Sequence, residues 1–129
     1  MVNVLRDTST ATDRRYTRRH RVPERRFVVV NSETQEALGE ILDISAQGLA
    51  FVYRVDNSTA LESNLLDILS NAGQHQVGPL PYRNMNDFDY LLGYTFDAHL
   101  MRRRGVKFEK LSEDQIKDIE QFIHDSIKN

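Results

Sequence analysis

The sequence contains no cysteine, and it has no run of apolar residues long enough to cross a membrane. The first absence argues against a disulfide framework and against thiolate chemistry. The second argues against a transmembrane helix. Residues 1–15 also lack the apolar stretch of a signal peptide. We therefore expect a cytoplasmic protein that does not insert into a membrane.

A strong net charge is also missing, since 17 basic and 19 acidic residues give a formal net charge of −2 at pH 7. The molecule as a whole should therefore not attract polyanions strongly. The charge is nevertheless uneven along the chain. Seven of the basic residues are arginines between Arg14 and Arg26, and the last twenty residues are rich in Asp and Glu.

The middle of the chain predicts a mainly β protein, an antiparallel sheet or barrel. β-Branched and aromatic residues recur in short runs that are separated by turn residues such as Asn31-Ser32. Closely spaced strands joined by short turns are typical of this architecture. The strands are expected at Phe27–Val30, Leu38–Ile44, Leu49–Val55, Leu65–Leu69 and Gly105–Phe108.

Three stretches do not fit a regular strand pattern. Pro79 and Pro81 cannot donate a backbone hydrogen bond, so residues 77–82 are expected to form an edge strand or an irregular one. A long loop is expected around Asn84-Met85-Asn86-Asp87, with weak order beyond it. The three consecutive arginines at 102–104 are typical of an exposed strand edge that is protected by charge.

The C-terminal residues 112–128 predict an α-helix. Ser112 is a candidate N-cap, and Gln115 follows at the spacing of a capping box. Apolar residues at helical spacing should form one face that packs on the rest of the domain. They are Ile116, Ile119, Phe122, Ile123 and Ile127.

The composition, 40% hydrophobic and 28% charged over 129 residues, fits one compact domain. We expect a single domain over residues 1–129. It would consist of a flexible basic arm at residues 1–22, a barrel at residues 23–111 and the helix at residues 112–128.

Two features of the sequence could carry binding chemistry. The first is the arginine cluster, because a guanidinium matches both phosphate oxygens and the O6/N7 edge of guanine. Taken alone, the cluster fits a solvated basic patch better than a specific site. The second is the segment Asp43-Ile44-Ser45-Ala46-Gln47-Gly48, which alone fits an ordinary turn between two strands. In an antiparallel barrel, however, the two features can lie at the same rim.

Together these residues resemble the PilZ family, whose signature is Arg-x-x-x-Arg followed by Asp/Asn-x-Ser-x-x-Gly. Arg15 and Arg19 match the first half, and Arg14 and Arg18 match it in an alternative register. The segment from Asp43 to Gly48 matches the second half, 24 positions after Arg19. With Arg-Val-Pro at 21–23 and Gly-Val-Lys-Phe at 105–108, the resemblance covers most of residues 14–128.

The resemblance implies a small antiparallel β-barrel with a C-terminal helix that binds cyclic di-GMP and needs no cofactor. In this family the arginines at the positions of Arg15 and Arg19 hold phosphates and guanine Hoogsteen edges. Asp43 would accept hydrogen bonds from a guanine, and Ser45 would add a hydroxyl contact. Gly48 would allow the tight turn that brings them together.

The family also implies an output, since the arm would become ordered on ligand binding and signal to a downstream protein partner. The residue before the motif, Arg14 in the preferred register, would bear on whether one or two ligands bind. Arg18 would be a ligand-binding residue in the alternative register.

Other functions remain possible from the residues alone. The chain could be a PilZ-like interaction module that binds no nucleotide. A nucleic-acid-binding arm is disfavoured because Tyr16 is the only aromatic residue within it, so neither DNA nor RNA is expected as a partner. Catalysis is not expected, since Ser45 lacks a nucleophile elbow. The scattered histidines predict no metal site, and residues 87–89 offer too few ligands for calcium.

Overall fold

The runs of β-branched and aromatic residues form the strands of a closed, six-stranded antiparallel barrel. The computed structural model describes residues 17–55, 63–90 and 101–127. In chain order the strands are β1 (His20–Arg21), β2 (Phe27–Asn31), β3 (Ala37–Ser45), β4 (Gly48–Arg54), β5 (Leu65–Ser70), β6 (His75–Asp89) and β7 (Met101–Phe108). A helix, α1 (Glu113–Phe122), follows and continues as a π-helical turn (Ile123–Ile127).

The barrel closes because β3 pairs along both of its edges. The strand order is β3-β2-β5-β6-β7-β4, and β4 then pairs with β3. The first half of β3 pairs with β2, and the short strand β1 pairs with β3 further along the same edge. The expected small antiparallel barrel with a C-terminal helix is therefore confirmed.

The barrel sheet begins before residue 23, where we had expected the barrel to start. His20 pairs with Ile44, and Arg21 pairs with Asp43. Val22 is buried, and its backbone N–H donates to the carbonyl of Leu42 at 2.9 Å. The last residues of the expected arm thus belong to the sheet in this structure.

The core is formed by the inward side chains of the barrel and by one face of the helix. Burying an aliphatic or aromatic side chain of this size contributes about 1.5–3 kcal/mol relative to leaving it exposed. The fully buried large residues are Phe51, Leu38, Ile41, Ile44, Leu49, Leu66, Ile68, Leu80, Ile119, Ile123, Val29 and Val106.

The helix begins and packs as the sequence predicts. Ser112 Oγ accepts a hydrogen bond from the backbone N–H of Gln115 at 3.1 Å, and the Gln115 side chain accepts one from Ser112 at 2.8 Å. Ile119, Phe122 and Ile123 are buried. The Phe122 ring meets Phe27 edge-on, with 4.9 Å between the ring centroids. Regular α-helical structure ends at Phe122, so the last expected turns are π-helical up to Ile127.

Residues 77–82 form the irregular strand that the prolines predict: they lie within the 15-residue strand β6, and the register of this part with β5 shifts twice. What the prolines could not predict is that β6 changes partners along its length. Residues up to Pro81 pair with β5, and pairing with β7 begins at Tyr82. Among the described residues, both prolines therefore lie where one edge of β6 has a strand partner and the other has none, which tolerates a residue without an N–H.

Two other expectations are wrong. Residues 84–87 are not a loop, because β6 continues through them and pairs with β7 as far as Asp89 and Arg102. Residues 102–104 are not a strand edge, because β7 lies between β6 and β4. The carboxylates of β6 and the arginines of β7 form ion pairs across the two strands. Neither stretch alone shows that the other lies opposite it.

Candidate functional site

The geometry around Asp43 begins with an irregularity in β3. Ile41 and Ile44 both point into the core, although strict alternation would put residues three apart on opposite faces. The register between β3 and β4 shifts between Ile41 and Asp43. Such a bulge inserts one extra residue into a strand. As a result Ile44 returns to the core, and Asp43 projects from the outer face of the barrel.

On that outer face Asp43 holds two guanidinium groups, one on each carboxylate oxygen. Arg19 Nη1 donates to Asp43 Oδ1 at 2.7 Å, and Arg103 Nη2 donates to Asp43 Oδ2 at 3.3 Å. The first arginine immediately precedes β1, and the second lies on β7. Asp43 therefore connects the N-terminal segment to β7 on the same face of the sheet.

These three residues line an open cavity of about 410 Å³, which we call the site cavity. Pockets for small ligands typically measure about 300–1,000 Å³. Arginines contribute most of the charge of its walls. The residues lining it are Arg19, Arg21, Val22, Glu24, Leu42, Asp43, Tyr90 and Arg103.

Ser45 and Gly48 lie in the turn between β3 and β4 and shape it from within. Ser45 is buried, its Oγ accepts a hydrogen bond from the backbone N–H of Gln47 at 3.1 Å, and the same hydroxyl donates to the carbonyl of Gly48 at 3.4 Å. A Cβ on Gly48 would lie 2.2 Å from the carbonyl oxygen of Val106. Gly48 is therefore required by the close approach of β7.

This is a different reason from the backbone freedom that the sequence suggested for Gly48. Within the described ranges, the glycines with positive φ are Gly73 and Gly78. Other residues could adopt the backbone conformation of Gly48. A side chain is excluded there because the neighbouring strand lies too close.

The predicted site residues are only partly brought together. Arg19 and Asp43 are in contact, and Ser45 and Gly48 form the adjoining turn. Arg18 is exposed and is not among the residues lining the site cavity. Arg14 and Arg15 lie outside the described residues.

Sequence reasoning missed Arg103, Arg21 and Tyr90 as parts of this site. Arg103 had been assigned to a strand edge. Alternation along β7 could have placed it on the face opposite Val106 and Phe108, but its neighbours depend on the register with β4 and β6. Arg103 also lies over the ring of Phe88, with 5.3 Å from its guanidinium carbon to the ring centroid.

A second charged cluster lies on the inner side of β6 and β7. Asp87 accepts hydrogen bonds from the Tyr53 hydroxyl, from Arg102 Nε and, at 2.7 Å, from Arg104 Nε. Arg102 also donates to Asp89 at 2.6 Å. Arg104 stacks over the Tyr53 ring at 5.3 Å. This network stabilises the pairing of two strands whose ends are highly polar.

The network changes the acidity of its members. Burial by itself would raise the pKa of Asp87, but the hydrogen bonds from Tyr53, Arg102 and Arg104 outweigh it and lower that pKa below its ordinary value. Burial raises the pKa of the Tyr53 hydroxyl, and its hydrogen bond to Asp87 raises it further. At neutral pH Asp87 is thus ionised and Tyr53 is protonated.

In the described part of the chain no group of three or more His, Asp or Glu residues could hold a metal ion. No helix of the described ranges is both long and apolar enough to span a bilayer.

Comparison with known proteins gives one family match. The family model for the PilZ domain matches residues 12–125. No curated protein matches the chain.

Two solved structures of MrkH have a similar fold. One is described as a c-di-GMP-dependent transcription regulatory factor, with a TM-score of 0.60 and 17% sequence identity over 83% of this chain and 48% of that one. The other is MrkH of K. pneumonia in its apo state, with a TM-score of 0.60 and 17% identity over 84% of this chain and 47% of that one. The chain spans about half the length of these structures.

Proposed function

We propose that this chain, which belongs to the PilZ domain family, is a receptor that binds cyclic di-GMP in the site cavity and catalyses no reaction. The observation that carries the proposal is the contact between Arg19 and Asp43 at 2.7 Å. It joins the two halves of the family motif on one face of the barrel. The fold similarity to MrkH, a c-di-GMP-dependent factor, supports the same ligand class.

The chemistry of the site cavity suits a guanine nucleotide with two phosphates. Arg19, Arg21 and Arg103 offer planar donor groups that match phosphate oxygens and the O6/N7 edge of guanine. The Asp43 carboxylate accepts N–H donors, and the guanine ring edge carries such donors. A site with arginines alone would attract any polyanion, so Asp43 is the group that adds selectivity for guanine.

We assign the arginine motif to Arg15 and Arg19 rather than to Arg14 and Arg18. The support is that Arg19 contacts Asp43 and lines the site cavity, whereas Arg18 is not among the residues lining it. In this assignment Arg15 supplies a second guanidinium to the ligand. Arg14, which precedes the motif, bears on whether one or two ligands bind.

Ser45 and Gly48 act on the ligand by positioning Asp43. The Ser45 hydroxyl closes the turn that follows Asp43, and Gly48 lets β4 approach β7, which carries Arg103. Both residues of the motif thus keep the carboxylate and the guanidinium of Arg103 at a fixed separation.

The signal passes to a downstream protein partner through the N-terminal segment. Arg19 is half-exposed and donates to Asp43 through Nη1, so a ligand phosphate can compete for its guanidinium. Charge-assisted contacts from Arg15 and Arg19 to one ligand would order the residues between them. The partner then binds the ordered form.

The test is a calorimetric titration of the full chain with cyclic di-GMP, with GTP and a DNA oligonucleotide as controls. A receptor binds cyclic di-GMP saturably and binds neither control with comparable affinity. Equal binding of all three would identify a general basic patch. Absence of any binding would identify an interaction module that docks a protein without nucleotide.

A further inference from the structure

Phe88 is an aromatic side chain that faces away from the barrel core. It lies on β6 directly across from Arg103 on β7, and its side chain is 47% exposed. Directly opposite residues of paired strands have their side chains on the same face of the sheet. A single exposed apolar residue is ordinary on a protein surface. What distinguishes Phe88 is the contact of its ring with a residue of the site cavity.

That residue is Arg103, which is held on two sides. Its guanidinium carbon lies 5.3 Å from the centroid of the Phe88 ring, and its Nη2 donates to Asp43 Oδ2 at 3.3 Å. A guanidinium is planar and stacks on aromatic faces. The ring and the carboxylate together restrict Arg103, so its plane is set before any ligand arrives.

We propose that Phe88 and Arg103 form a stacking platform for a guanine base of the bound nucleotide, and that Arg103 keeps its position in the site when the nucleotide binds. This inference rests on the proposed function. Every nucleobase has a π-face that stacks on aromatic rings and on arginine planes. The platform adjoins Asp43, so a base stacked there presents its edge to the carboxylate.

The two arginines on Asp43 then have different roles. Guanine N–H donors need oxygens of Asp43 that Arg19 and Arg103 occupy in the free protein. The Arg19 side chain is 51% exposed and that of Arg103 is 24% exposed. Arg19 is therefore the group that leaves Asp43 and moves to a phosphate, and Arg103 stays on the ring of Phe88.

The chain contains no tryptophan, which allows a direct test by fluorescence. Phe88→Trp places a single indole in the platform. Met85→Trp is the matched control, because Met85 is on the same strand and is 54% exposed, whereas Phe88 is the residue that Arg103 stacks on. We expect the emission of Phe88→Trp to change on addition of cyclic di-GMP. The ligand concentration at half of this change should equal the Kd that calorimetry gives for the same variant. The emission of Met85→Trp should stay constant.

Calorimetry of Phe88→Ala and Phe88→Tyr completes the test. Loss of the ring should weaken cyclic di-GMP binding about tenfold, the cost of one base–aromatic stack. Tyrosine should keep the wild-type affinity because it retains the ring. The alanine variant should fold, since Phe88 faces away from the core; if it does not, the tryptophan titration decides alone.

The outcomes separate this inference from the proposed function. If the wild type binds cyclic di-GMP while Phe88→Ala binds equally well and Phe88→Trp emission does not respond, the platform is wrong and the receptor function stands. If the wild type does not bind cyclic di-GMP at all, the proposed function fails and the platform fails with it.

Discussion

Arg19 and Asp43 are 24 residues apart in the chain, and the Nη1 atom of the arginine lies 2.7 Å from the Oδ1 atom of the aspartate. The Arg19 side chain is 51% exposed. An ion pair this exposed contributes at most about 1 kcal/mol to stability. Arg19 can therefore be changed with little risk to the fold.

Replacing Arg19 should separate binding from stability. We expect Arg19→Ala to weaken cyclic di-GMP binding by tenfold or more, since one charge-assisted hydrogen bond contributes about 1.5–3 kcal/mol. Its melting temperature should stay close to that of the wild type. Arg18→Ala is the matched control, an adjacent arginine outside the site cavity. If Arg18→Ala is the weaker binder in calorimetry, the motif is Arg14 and Arg18.

Gly48→Ala should destabilise the barrel. The added Cβ would lie 2.2 Å from the carbonyl oxygen of Val106, and this atom belongs to the backbone of the neighbouring strand. Forcing β4 and β7 apart should cost about 1–3 kcal/mol. Urea denaturation measures the free energy of unfolding directly. A variant as stable as the wild type would show that the two strands adjust without cost.

Asp87→Asn should reduce stability at neutral pH and not at low pH. The pKa of Asp87 is lowered in the folded chain, so the unfolded state binds more protons as the pH falls. The stabilisation by the carboxylate is present above the unfolded pKa of about 3.9. It is lost as the pH falls through the lower folded pKa.

Urea denaturation of Asp87→Asn should give a loss of about 2 kcal/mol at pH 7, because the charge-assisted bonds from Arg102 and Arg104 are weakened. The difference from the wild type should shrink as the pH falls below about 4. Asp89→Asn is the control, since Asp89 contacts the same Arg102 but its side chain is 67% exposed. A difference for Asp87→Asn that is constant down to low pH would contradict the role of its ionised form.

Much of the fold could be predicted from the sequence because local signals and tertiary structure agree. The run Phe27–Asn31 has the residue types of a buried strand and forms β2. Ser112 and Gln115 form the predicted capping box. The turn from Ser45 to Gly48 was found through its residue types, and its neighbours in the sheet confirm its position between β3 and β4.

The rest depends on which strands are neighbours, and periodicity carries no such information. Pro79 and Pro81 predicted an irregular strand, but they could not show that β6 pairs first with β5 and then with β7. Asp87 and Asp89 resembled loop residues because their partners Arg102 and Arg104 were not known to lie opposite them. The contact of Arg103 with Asp43 follows from the register of three strands, which no local pattern determines.

The central claim is that the site selects cyclic di-GMP and does not merely attract anions. Calorimetric titration of Asp43→Ala with cyclic di-GMP, with GTP as the competitor, tests this most directly. Melting curves of the same variant confirm that it is folded. A guanine-selective receptor loses a specific acceptor in this variant, so its affinity should fall by tenfold or more. A general basic patch loses only a negative charge, so unchanged or tighter binding, with GTP competing well, would contradict the account.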